Sequence, residues 1–145
     1  MTETWDWKEP AAPARKPPQE RALYDEVGGE EGLKRLIETF YDIIEFEPMG
    51  ERLHLLHLRG HGVAHSRVEQ FNFLSQFFGG PRLYSEKHHH ASIRLMHEHV
   101  EIDAQSRDDW LACMSEAIDR VGLGAPVKDQ LMAHFTRVAA ILVNR

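Results

Sequence analysis

The residues best able to do chemistry in this chain are its histidines. There are ten among 145 residues, and imidazole is the commonest protein ligand for metal ions. His54, His57, His61 and His65 are separated by three, four and four residues, a spacing that on an unbroken helix would stack imidazoles on one face. Two features oppose a metal site there. Gly60 and Gly62 interrupt the run, each costing a helix roughly 1 kcal/mol. No carboxylate lies inside it, although Glu51 and Glu69 flank it. His88, His89 and His90 are consecutive, so their side chains cannot converge well in any regular element, and adventitious nickel or zinc is all that run suits. A protein that binds a bare metal ion through His54, His57, His61 or His65 is therefore one reading, and the weaker one. Most of the other histidines read as surface or hydrogen-bonding residues.

A porphyrin needs something different. It asks for one imidazole on a short helix beside an apolar slot, large apolar walls, and one or two polar hydrogens on the far side. The chain can supply each kind. Phe71, Phe73, Leu74, Phe77 and Phe78 crowd one segment. Tyr41 sits at the edge of an apolar stripe and Trp110 lies inside another, so the phenol O–H and indole N–H each need a partner. Spacing alone equally fits ordinary core aromatics, and it leaves both readings open.

Helices must carry these groups. A short helical turn over 22–27 stops at Gly28 and Gly29, since glycine tolerates positive φ at a helix end. Leu33, Leu36, Ile37, Phe40, Tyr41 and Ile44 recur at the three-and-four spacing of one helical face, and Pro48 marks the exit. Residues 53–58 read as a short helix or turn. A helix over 64–78 carries apolar residues on more than one stripe, so it is either deeply buried or lines something apolar. Gly79, Gly80 and Pro81 end it. Residues 82–102 read as a loop, then a short helix containing Ile93 and His97. Ser106-x-x-Asp109 reads as a capping arrangement. It opens a helix with Trp110, Cys113, Met114, Ala117, Ile118 and Val121 on one face, closed by Gly122 and Gly124. Pro126 suits the first turn of a last helix, whose stripe is Val127, Leu131, Phe135, Val138 and Leu142. No segment alternates with period two, and the fold class is all-α.

Composition narrows the classes. The length fits one domain, and a chain of this size buries roughly 70% of its unfolded surface. Seventeen basic residues face 23 acidic ones, for a formal charge of −6, and no basic stripe is visible, so no nucleic-acid partner is expected. No apolar run is long enough to span a bilayer, so no membrane partner is expected either. Residues 1–22, with Pro10, Pro13, Pro17 and Pro18, read as a flexible Pro-rich tail without a signal-peptide core. Trp5 and Trp7 within it are either exposed or docked on the body or on a second subunit. A single cysteine, Cys113, fits a reducing compartment, and a cytoplasmic location is the expectation.

The order of motifs adds what spacing cannot. Leu23-Tyr24-Asp25-Glu26-Val27-Gly28-Gly29 is followed by Phe40-Tyr41, then Phe78-Gly79-Gly80-Pro81 with Tyr84-Ser85-Glu86. Leu95-Met96-His97 and Arg107-Asp108-Asp109-Trp110-Leu111-x-Cys113-Met114 come next. This series resembles the truncated haemoglobins, group II in particular, across residues 23–143. The domain expected is 23–145. The resemblance implies a two-over-two helical sandwich around haem b, with His97 as the proximal iron ligand. It implies Tyr41 and Trp110 as donors to bound dioxygen, joined on the distal side by His57, Ser66 and Gln70. It places Phe73, Leu74, Phe77, Met96, Val100 and Met114 against the macrocycle, and Tyr84, His90 and Arg94 near the propionates.

Several positions depart from the family pattern. His99 and Val100 stand where a Pro-Phe pair is frequent, which leaves His99 as a competitor to His97. Met96 replaces a frequent basic residue, Glu69 an arginine that often meets a propionate, and Gln70 a commonly apolar residue. The implied ligands are dioxygen, CO, NO or similar small molecules. Several distal donors would slow ligand escape, which suits scavenging, sensing, or NO or peroxide redox chemistry better than bulk oxygen transport. A reductase and a homodimer are the remaining partners the resemblance brings.

Overall fold

The computed structural model describes residues 22–89, 92, 97 and 100–144. The expected tail with Trp5 and Trp7, and His90, Arg94, Met96 and His99, lie outside the described residues. Every regular element among the described residues is helical.

Seven α-helices can be traced in full among the described residues: α1 (Leu23–Glu26), α2 (Gly29–Phe46), α3 (Glu51–Arg59), α4 (Val63–Phe77), α5 (Leu83–His88), α6 (Ala104–Val121) and α7 (Ala125–Leu142). A 3-10 turn, Pro48–Gly50, joins α2 to α3. The apolar stripe of α2 forms the centre of the core, with Leu33, Leu36, Phe40, Ile43 and Ile44 wholly shielded from solvent. α2 packs against both α4 and α6, and α6 packs against α7. Two helix pairs laid over each other in this way give the two-over-two arrangement expected.

Glycines let these pairs approach closely. A Cβ at Gly32 would fall 1.9 Å from the carbonyl oxygen of Val27, and one at Gly50 would fall 2.3 Å from the Cα of Ile44. Side chains at either place would push α1 or the 3-10 turn off α2. The Tyr24 N–H donates to the Phe78 carbonyl at 2.9 Å, which ties α1 to the end of α4.

Two local expectations are corrected. α6 begins at Ala104, and Asp103 is its cap, its Oδ1 accepting from the Ser106 N–H at 2.8 Å. Ser106, read as the start of the helix, is already inside it. α5 occupies part of a segment read as loop. Six residues are too few to show a 3.6-residue period, and a long-range contact holds the helix: the Gln76 amide donates to Ser85 Oγ and accepts from the Ser85 N–H, both at 2.7 Å. As Gly60 and Gly62 led one to expect, the histidine run does not form one helix. His54 and His57 lie on α3, His61 in the turn, and His65 on α4, with Gly62 at φ +91° between them.

Candidate functional site

A cavity of about 450 Å³ opens between α3, α4, α6 and α7, within the range of small-molecule and cofactor sites. α2 contributes Tyr41, and α3 contributes Leu53, Leu56 and His57. α4 supplies the longest wall, with Ser66, Glu69, Gln70, Phe73, Leu74 and Phe77. This explains its unstriped apolar pattern: one side of the helix packs on α2 while another faces the cavity. Phe73 and Phe77 stack at 5.5 Å and 22°, forming a flat apolar panel.

Eleven of the described residues singled out above meet here: Tyr41, His57, Ser66, Gln70, Phe73, Leu74, Phe77, Tyr84, His97, Val100 and Trp110. Met114 is wholly buried in the core and is not among the lining residues. The walls also include residues to which sequence reasoning gave no site role, notably Leu56, Ile102, Arg107 and Ala139, and His65, which it read only as a possible ligand of a bare metal ion. Val138 and Leu142 were visible as part of the stripe on α7, but a stripe does not say whether it meets a helix or a cavity.

Polar side chains interrupt the apolar walls at specific places. The Tyr41 hydroxyl donates to Gln70 Oε1 at 3.4 Å. Burial pushes the phenol well above its ordinary pKa, although the Arg67 charge pulls the other way. Tyr41 is therefore a neutral hydrogen donor at any physiological pH. His57 stands edge-on to it, with ring centroids 5.6 Å apart. His57 Nδ1 lies 2.8 Å from the Leu53 carbonyl, so Nδ1 carries the hydrogen and Nε2 keeps its lone pair. Burial lowers the pKa of His57; the Leu53 bond opposes this, while the charges of His97 and His54 add to it.

Trp110 is wedged between Phe40 and Phe135, each at 5.1 Å between centroids. Among the described residues nothing accepts a hydrogen bond from its indole N–H, and the amide nitrogen of Gln70 is likewise without an acceptor. A half-buried N–H without a partner is costly unless something else meets it. At the rim, Glu69 receives Lys87 Nζ at 2.7 Å and His88 Nε2 at 2.9 Å. Tyr84 lies against the His88 ring at 4.2 Å.

These residues can enclose a flat apolar body, offer it one imidazole from the segment before α6, and present phenol, indole and amide hydrogens to a small polar molecule beside it. That is the donor set haem requires. The competing metal reading does not survive: among the described residues no group of three or more His, Cys, Asp or Glu side chains could hold a metal ion. The turn at Gly60 and Gly62 separates the imidazoles that a continuous helix would have aligned.

The bacterial-like globin family model matches residues 22–144. The Group 2 truncated hemoglobin YjbI of Bacillus subtilis is 33% identical over 124 residues, which is 86% of this chain and 89% of that protein. Among solved structures, a group II 2-on-2 hemoglobin from Agrobacterium tumefaciens superposes with a TM-score of 0.80 at 27% identity, over 89% of this chain and 98% of the other. A cold-adapted truncated hemoglobin from Pseudoalteromonas haloplanktis gives 0.79 at 30% identity, over 86% and 99%. A truncated oxygen-avid haemoglobin from Bacillus subtilis gives 0.73 at 32% identity, over 86% and 100%.

Proposed function

The chain belongs to the bacterial-like globins, in their group II truncated haemoglobin branch, and from that premise we propose that its cavity holds haem b through His97 and retains dioxygen tightly. Family membership implies a haem and a diatomic gas ligand; the residue assignments and the tight retention are our reading. When bound, haem would supply an iron able to take a diatomic gas, with negative charge building on dioxygen in particular. The protein's part is to answer that charge. Tyr41 stays protonated, Gln70 accepts its hydrogen or yields it to a ligand, and Trp110 holds an indole N–H without another acceptor among the described residues. That unmatched N–H on the wall of one cavity with His97 is the observation that carries the proposal.

Several donors must let go before a gas can leave, so release is slow. The similar protein described as oxygen-avid points the same way. Slow release suits scavenging, sensing, or NO or peroxide redox chemistry with a separate reductase, and it suits bulk transport poorly. The Cys113 thiol takes no part: burial pushes its pKa up to about 11, with Asp109 and Glu47 adding. A buried, protonated thiol fits a reducing cytoplasm.

Absorption spectra of the ferric, ferrous and CO-bound forms test the proposal together. A histidine-ligated haem spectrum in all three is expected. A colourless preparation that takes up no haem on reconstitution overturns it.

A further inference from the structure

We infer that Arg67 is a positioning residue for Tyr41, fixing the direction of the phenol hydrogen and placing positive charge behind it. The inference rests on the haem reading above.

Arg67 lies on α4, between Ser66 and Gln70 in sequence, yet it is not part of the cavity wall. Its side chain crosses to α2. There Nη1 meets a carboxylate oxygen of Glu38, and Nη2 donates to Asp42 at 2.9 Å and Glu45 at 2.8 Å. The three acidic residues are spaced by four and three, so they share one face of α2. Tyr41 leaves the helix beside that face. The Arg67 Cζ lies 5.8 Å from the centre of the Tyr41 ring, within reach of a cation–π contact. One turn on, Gln70 receives the Tyr41 hydrogen. α4 therefore holds this one side chain twice, at the ring and at the hydroxyl.

The geometry is unlike an ordinary surface ion pair, which stabilises little. The Arg67 side chain is 18% exposed, while Glu38, Asp42 and Glu45 are 49%, 59% and 32% exposed. The cation lies inward and the anions outward, so the tyrosine faces the positive end. Partial burial favours loss of the guanidinium proton, but Glu45, Asp42 and Glu38 outweigh it and hold Arg67 charged. The planar fork meets the three carboxylates from two separate nitrogens, and the point charge of a lysine ammonium does not reproduce that geometry in full. The Arg67 charge already acts on the Tyr41 phenol against the effect of burial, and a phenol drawn toward ionisation donates a stronger hydrogen bond.

The test uses the full-length haem-loaded protein, with Arg67→Met and Arg67→Lys, each also in a Tyr41→Phe background. The readouts are dioxygen release rate and the stretching band of bound CO, which rises in frequency when positive potential beside it is lost. Arg67→Met should speed release by about threefold to tenfold, the worth of weakening one hydrogen bond, and raise the CO band. Arg67→Lys should recover part of both changes. In the Tyr41→Phe background neither substitution should matter. An unmoved band and rate in Arg67→Met, or equal effects with and without the Tyr41 hydroxyl, overturn the inference, even if the melting temperature falls. A protein that takes up no haem at all defeats the earlier reading instead.

Discussion

The two rings around Trp110 explain why its substitution is informative. Phe40 and Phe135 fix the indole plane, so Trp110→Phe keeps much of the packing and removes the N–H. Dioxygen release should then accelerate by up to about tenfold, the magnitude of one lost hydrogen bond, as read by stopped-flow. An unchanged rate would remove Trp110 from the ligand network. His97 calls for the opposite design, since the proposal makes its imidazole an iron ligand rather than a donor to the gas. His97→Gly should lose the histidine-ligated spectrum and regain it with free imidazole. A histidine-ligated spectrum that persists without added imidazole would assign the iron to His99. His57 is the neighbour whose state is already set: burial, outweighing the Leu53 bond, favours the neutral ring, and that bond puts the hydrogen on Nδ1.

At the scale of elements, α5 cannot stand alone. Its six residues have no buried stripe, and they depend on Gln76 and Glu69 of α4. Burial works to raise the Glu69 carboxyl, but the bonds from Lys87 and His88 outweigh it and hold its pKa below the usual range. A carboxyl depressed in the folded state contributes stability above its unfolded pKa, near 4.5, and loses that contribution as pH falls through the lower folded value. Glu69→Gln should therefore make acid unfolding less steep below about pH 5, with little change in slope at neutral pH. Circular dichroism across an acid titration measures this, and identical profiles would show that the pair does not matter. The segment after His97 is tied differently. Asn144 accepts from the Ile102 N–H at 2.8 Å and donates to the Val100 carbonyl at 3.0 Å, fastening the approach to α6 onto the end of α7.

For the molecule as a whole, the cavity is a stability question as well as a functional one. About 450 Å³ of space between α3, α4, α6 and α7 leaves those faces without packing partners unless a ligand fills it. A ligand that binds only the folded state stabilises it by mass action, about 4 kcal/mol at a thousandfold excess over Kd. Extracting the haem should lower the melting temperature by many degrees, and reconstitution should restore it. A melting curve indifferent to haem would mean that the cavity does not bind it. Among the described residues no helix is long and apolar enough to cross a membrane, and the buried core centres on α2.

The helices were legible in the sequence because apolar residues at three-and-four spacing have one cheap way to leave water, and glycine and proline mark where the chain must turn. The family was legible because Gly79-Gly80-Pro81 and the Trp110-to-Met114 block stand in a fixed order. Tertiary structure alone decided which apolar faces meet protein and which meet the cavity: Met114 and Phe77 look alike in a stripe, yet one is core and the other is wall. It also placed Asp103 as the cap of α6, whereas the break in the histidine run at Gly62, where positive φ turns the chain, was already legible from the two glycines. Arg67 carries no sequence signal at all, since its partners lie more than twenty residues away on another helix. Local spacing determines which elements form, whereas contacts distant in sequence depend on how those elements pack.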